Sequence, residues 1–143
     1  MSTAENKAVI ASFLEDVINQ GRLERADDLV HHDFIELDPL PGQRQGREGL
    51  KEIIGVLLLA FPDMHWVIDE SIAEGAKVVT RFTWTGTHRG EFLGIHATGR
   101  QVSVKGVVID RLDAGKMADS RILMDNLSLM QQLGVIPTPP DAA

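Results

Sequence analysis

The 143-residue chain contains no cysteine and no tyrosine. Lack of cysteine excludes disulfides, thiolate nucleophiles, iron–sulfur clusters and cysteine-type zinc sites. Lack of tyrosine takes away the phenolic donor to a developing oxyanion and leaves Arg, His, Trp or water as the candidates considered. Basic residues are few: 14 Lys+Arg against 21 Asp+Glu give a formal charge of −7, and no Lys/Arg run interrupts it. Nucleic-acid and anionic-membrane partners are therefore not expected. The acidity lies in residues 1–70, with 6 basic and 14 acidic side chains, and reads as solvated helix faces. The longest mostly apolar stretch, Ile53 to Phe61, is far short of the roughly 20 residues that cross a bilayer. The start, Met-Ser-Thr-Ala-Glu, has neither the basic nor the apolar region of a signal peptide, so the expectation is a soluble, cytoplasmic protein.

Several motifs are missing as well. There is no Gly-x-Gly-x-x-Gly, P-loop or Gly-x-Ser-x-Gly, and the five histidines show no His-x-x-x-His or His-Glu-x-x-His spacing. No cofactor and no metal site is expected.

What is present has globular proportions, 43% hydrophobic and 24% charged, at the size of one domain over residues 1–143. Ser2 and Glu5 have capping-box spacing, and Ile10, Phe13, Leu14, Val17 and Ile18 recur at helical intervals up to Gly21. Leu23, Ala26, Leu29 and Val30 predict a second helix ending near His31-His32, and Phe34 to Asp38 a short extended piece closed by Pro39, Pro41 and Gly42. Arg47 to Phe61 predicts a third helix. Strands follow at 64–73, 77–87, 101–112 and 117–127, with turns at Glu74-Gly75 and Asp113-Ala114-Gly115 short enough for antiparallel hairpins. Helices first and strands afterwards is the segregated α+β order, solved most simply by a curved antiparallel sheet wrapped around the helices. A pocket between the concave face and the first helix would take a small molecule.

Among polar candidates, Asp125 lies in the last predicted strand among apolar neighbours. Pointing inward it is desolvated, with a raised pKa suited to general acid/base work. Pointing outward, or paired with Arg121 or Arg111, it is an ordinary carboxylate, and both readings stand. Asp38 ends a strand at a proline turn, where aspartate serves the turn or touches substrate. His88, in Gly86-Thr87-His88-Arg89-Gly90, is either a solvent-exposed loop residue or a proton shuttle. Trp66, Trp84 and Phe13 offer aromatic faces to an apolar ligand or to the core. Val107 and Ile109, opposite in parity to Val102, Val104 and Val108, leave apolar side chains on both sheet faces and predict a homodimer.

The run Phe61-Pro62-Asp63, then Gly86 through Ile95, Thr98-Gly99-Arg100, Gly115-Lys116, Asp125 and Gln132-Leu133-Gly134 resembles the SnoaL-like polyketide cyclase family of the nuclear-transport-factor-2-like superfamily, over roughly residues 5–137. The resemblance implies a cone-shaped α+β barrel and an intramolecular aldol closure without cofactor or metal. Asp125 would be the general acid/base, His88 and Arg121 would orient or polarise a substrate carbonyl, and the pocket would be lined by Phe13, Trp66, Trp84, Asp38 and Arg111. The chain departs from the family pattern at Leu37, where histidine is frequent, at Arg121, where tryptophan is frequent, and at His96-Ala97, where two prolines are usual. Two alternatives stay open: a non-catalytic small-ligand module of the same fold, and water activation as in limonene-type epoxide hydrolases, with Arg111 or Arg121 beside Asp110 and Asp125. The related ketosteroid isomerase uses an aspartate in a segment similar to Glu36-Leu37-Asp38-Pro39, but its tyrosine donor has no counterpart here.

Overall fold

A computed structural model describes residues 1–140. The capping box forms as spelled: Ser2 Oγ accepts from Glu5 N–H at 3.0 Å and the Glu5 carboxylate accepts from Ser2 N–H at 3.2 Å. Helix α1 (Thr3–Ser12) continues into a π-helical stretch, Phe13–Asn19, which buries Phe13, Leu14, Val17 and Ile18. The predicted second helix shrinks to a 3-10 turn, Leu23–Arg25, and one turn of α2 (Ala26–Leu29). Strand β1 (Val30–Glu36) begins there, so His31 and His32 are strand residues and not a helix end. Helix α3 (Gly46–Ala60) matches its apolar spacing and stops at Phe61.

The strands β2 (His65–Glu74), β3 (Lys77–Thr87), β4 (Gln101–Asp113) and β5 (Lys116–Met124) pair in sequence as an antiparallel meander. Two expectations are corrected. β1 joins the far side of β5 in parallel, which makes the order β1-β5-β4-β3-β2 and the five-stranded sheet mixed and unclosed. A turn dictates the pairing of strands adjacent in sequence, whereas nothing local dictates a partner some eighty residues away. The last strand also stops at Met124, and Asn126–Gln132 forms α4, with Leu129 and the following Leu133 packed one helical turn apart into the core.

The sheet curves around the helices. Register breaks between Ile68 and Glu70, Arg111 and Leu112, and Val30 and Ile35 bend three strands. Gly106 in β4 supplies room at the inside of the bend: a Cβ there would lie 2.5 Å from the Phe82 ring and 2.6 Å from the Leu123 carbonyl oxygen. The core fills the concavity with Phe34, Phe61, Phe82, Trp84 and the buried faces of the N-terminal helices. No helix among the described residues is long and apolar enough to cross a membrane.

Candidate functional site

Alternation along β4 creates the site. Val102, Val104, Val108, Asp110 and Leu112 face inward and are buried, while Lys105, Val107, Ile109 and Arg111 face outward. Asp110 is thus an acid in an apolar row, 2% exposed. Its register partner on β5 is Ser120, and the partner of Ser120 on β1 is Glu36. Glu36, Ser120 and Asp110 form one transverse row on the concave face, and all three line a cavity of about 450 Å³. The remaining wall is mainly apolar: Phe13, Leu14 and Ile18 from the π-helical stretch, Leu50, Ile54 and Leu57 from α3, and Trp66 and Ile122 from the sheet. A π-helical turn shifts side-chain directions relative to an α-helix and recurs at functional sites. Here it presents three apolar side chains to the cavity. The segment after β1 adds Asp38, Pro39, Leu40 and Pro41.

Both acids of the row are held towards their neutral forms. Burial pushes the Glu36 carboxyl up to about 7, helped by the negative charges of Asp110 and Asp38. Burial likewise pushes Asp110 up to about 7; a hydrogen bond from Ser120 opposes the rise and the charge of Asp119 adds to it. Glu36 Oε2 and Asp110 Oδ1 are buried without a hydrogen-bond partner, as is the indole Nε1 of Trp66. Among the described residues, no three His, Asp or Glu side chains converge to hold a metal ion.

The residues singled out from the sequence divide. Phe13, Trp66 and Asp38 line the cavity. Trp66 stacks on Phe82 with ring centroids 4.2 Å apart. Trp84 is core instead: it is 1% exposed, lies edge-on to Phe61, and its indole N–H donates to Met124 Sδ at 3.3 Å. His88 is neither exposed nor on the cavity wall. Its Nδ1 accepts from Thr98 N–H at 3.1 Å and lies 3.0 Å from Thr98 Oγ1, so the imidazole latches the 88–100 loop. Arg121 and Arg111 lie on the convex face, where Arg121 is 4.0 Å from Asp38 Oδ1 and Arg111 Nε donates to Asp119 at 2.7 Å. Asp125 is exposed just past β5, and its Oδ1 accepts from Ser128 N–H at 3.0 Å as the N-cap of α4. Its neighbours Met124 and Asn126 line the cavity. Neither arginine is beside it, because residues 121 and 123 take the outer face of β5 and the chain leaves the strand before 125. Sequence reasoning missed Glu36 and weighed Asp110 only as a partner for an arginine. The available signal was parity: Asp110 continues the even-numbered series Val102, Val104 and Val108.

A curved sheet, a helical layer and a mainly apolar cavity with an acidic row define an α+β protein with a pocket of small-molecule size. The sequence profile of the SnoaL-like polyketide cyclase family matches residues 8–133, and the chain belongs to that family. It is 27% identical over 128 residues to the aklanonic acid methyl ester cyclase DnrD of Streptomyces peucetius, covering 87% of this chain and 88% of that protein. Among solved structures, TsrD from Streptomyces laurentii aligns with a TM-score of 0.87 at 30% identity, covering 95% of this chain and 99% of that one. IdmH from Streptomyces antibioticus aligns at 0.79 and 28% identity, covering 91% and 99%.

Proposed function

We propose that this protein is a cofactor-independent cyclase that closes a ring in a small, largely apolar carbonyl compound by intramolecular aldol addition, with Glu36 and Asp110 moving the protons. The observation that carries this reading is the pair of desolvated carboxyl groups flanking Ser120 on an otherwise apolar cavity wall. With both carboxyls raised to about 7, each is available near neutral pH in its ionised and its neutral form, so one member can serve as base and the other as acid. The ionised member removes a proton from the carbon next to a carbonyl, and the electron pair of that C–H bond becomes the enolate. The enolate carbon attacks a second carbonyl of the same molecule and forms the C–C bond. The resulting alkoxide takes a proton from the neutral member, and proton exchange restores the pair. Atoms balance as an isomerisation, which is why no cofactor is required.

The two curated relatives named for aklanonic acid methyl ester supply the probe. With that ester as substrate, Asp110→Asn and Glu36→Gln are each expected to lower kcat by about 10²–10⁴-fold with little change in KM. A second reading keeps the acid/base role at Asp125, favoured by the family resemblance and by Met124 and Asn126 on the cavity wall. Asp125→Asn, which preserves the helix cap, decides between them. A loss of that size from Asp125→Asn alone supports the second reading, and a loss from the other two alone supports the first. Full turnover by all three variants removes both. The same proposal includes a homodimer formed through the convex face of the sheet.

A further inference from the structure

β1 and β2 are the open edges of the sheet, and an edge strand leaves backbone N–H and C=O groups without a ladder partner. At one residue on each edge a side-chain amide fills the gap. Gln45 Oε1 accepts from Glu36 N–H at 3.0 Å, and Gln45 Nε2 donates to the Glu36 carbonyl at 3.1 Å. On the other edge, Asn19 Oδ1 accepts from Trp66 N–H at 2.7 Å, and Asn19 Nδ2 donates to the Trp66 carbonyl at 3.0 Å. Each amide reproduces the acceptor–donor pair that a neighbouring peptide would offer.

The residues gripped share two properties. Both line the cavity, and both carry a buried polar atom with no protein partner, Glu36 Oε2 and Trp66 Nε1. Gln45 is also the N-cap residue of α3 yet makes no side-chain cap bond, because its amide is committed to Glu36. A two-point grip on the backbone of one residue fixes the direction of its Cα–Cβ bond, and with it where the side chain projects. A third amide gives the comparison. Gln132 Oε1 accepts from Ser103 N–H at 2.8 Å and its Nε2 donates to the Ser103 carbonyl at 2.9 Å, but Ser103 is exposed and does not line this cavity.

We propose that Gln45 is a positioning residue for Glu36, and Asn19 its counterpart for Trp66: the amides clamp the two sheet edges so that these side chains face a bound substrate in fixed places. The Gln45 half rests on the reading of Glu36 and Asp110 as the proton-transfer pair. The charged groups acting on Glu36 are Asp110 and Asp38.

The test is a carbon-13 NMR titration of labelled Glu carboxyl groups, run on the full chain without ligand. Gln45→Met keeps the side-chain length and removes both bonds. It is expected to drop the Glu36 midpoint by about one pH unit as water reaches the released edge. Gln132→Met is expected to leave that midpoint in place. Gln45→Glu keeps the acceptor for Glu36 N–H and adds a negative charge, so it is expected to move the midpoint upward. If Gln45→Met behaves like Gln132→Met, lowering Tm with the Glu36 midpoint unmoved, the amide is an edge brace only and the proposal fails. For the other edge, Asn19→Leu is expected to shift the Trp66 indole N–H resonance and speed its exchange, with Gln132→Met again silent; an unchanged resonance overturns that half. A wild-type Glu36 that titrates as an ordinary glutamate would overturn the proton-pair reading itself, with the Trp66 arm still judging the Asn19 clamp.

Discussion

Two buried carboxyls in one small protein make its stability depend on pH in a defined direction. Asp110 rises from 3.8 and Glu36 from 4.5 to about 7, so between roughly pH 4 and pH 7 the folded chain binds more protons than the unfolded one. Their contribution is fully present below the unfolded values, falls as pH rises through the folded ones, and levels off above them. Asp110→Asn removes one source of that loss while retaining hydrogen-bonding capacity towards Ser120. Urea unfolding at about pH 5 and about pH 8 is expected to show the variant gaining on the wild type by on the order of 1 kcal/mol or more at the higher pH, with the gap closing at the lower. A gap independent of pH would mean that Asp110 does not titrate in this range. The same residue shows what was legible beforehand. Phe13, Trp66 and Asp38 could be assigned to a pocket from residue type and position, and the structure puts them on its wall. Glu36 could not, because its burial depends on β5 pairing beside it, and the place of Arg121 was open as well, because strand parity says which residues share a face but not which face is concave.

At the scale of elements, the meander was legible because short turns carry their own chemistry, and the capping box and apolar spacing marked α1 and α3. The ends of the strand region were harder. Asn126-Leu127-Ser128-Leu129 alternates polar and apolar residues as a strand would, and only the pair Leu129 and Leu133, both buried, reveals the helical period of α4. Once α4 exists, Asp125 has a structural task. Its carboxylate satisfies the otherwise unpaired N–H of Ser128 at the third helical position, a contact whose removal typically costs about 1 kcal/mol. Asp125→Ala is therefore expected to lower stability by about that amount, and Asp125→Ser to restore most of it. If the proton-transfer pair is Glu36 and Asp110, Asp125→Ser also keeps cyclase turnover on the keto-ester probe. A variant that recovers stability and stays inactive would return the catalytic role to Asp125. The two measurements together separate a helix cap from an acid/base group, which activity alone would not.

At the scale of the molecule, the sheet has two apolar faces and only one is covered by its own helices. On the convex side Leu123 pairs with Val107 and is 74% exposed. In the neighbouring row Arg121 pairs with Ile109, Ile109 with Val79, and Val79 with Ile72, which is 56% exposed. Ile35 extends the exposed apolar surface onto β1, beside Asp119. Contiguous apolar area on a sheet is seldom left to water in a chain of net charge −7, which is otherwise well solvated. The side chains interleaved with it are Arg121, Arg81, Arg111 and Asp119, and a two-fold axis through such a face lets an arginine of one copy meet an aspartate of the other. Because the convex face and the cavity lie on opposite sides of the sheet, association and chemistry are separable. Val107→Lys is the clean probe, because Val107 lies on the outer face alone, whereas Leu123 also borders the cavity. Light scattering at micromolar concentration is expected to give twice the chain mass for the wild type and the chain mass for Val107→Lys, with the far-ultraviolet spectrum preserved. A wild type that scatters as a single chain would remove the homodimer, and would leave the outer apolar rows as a surface that this protein keeps in water.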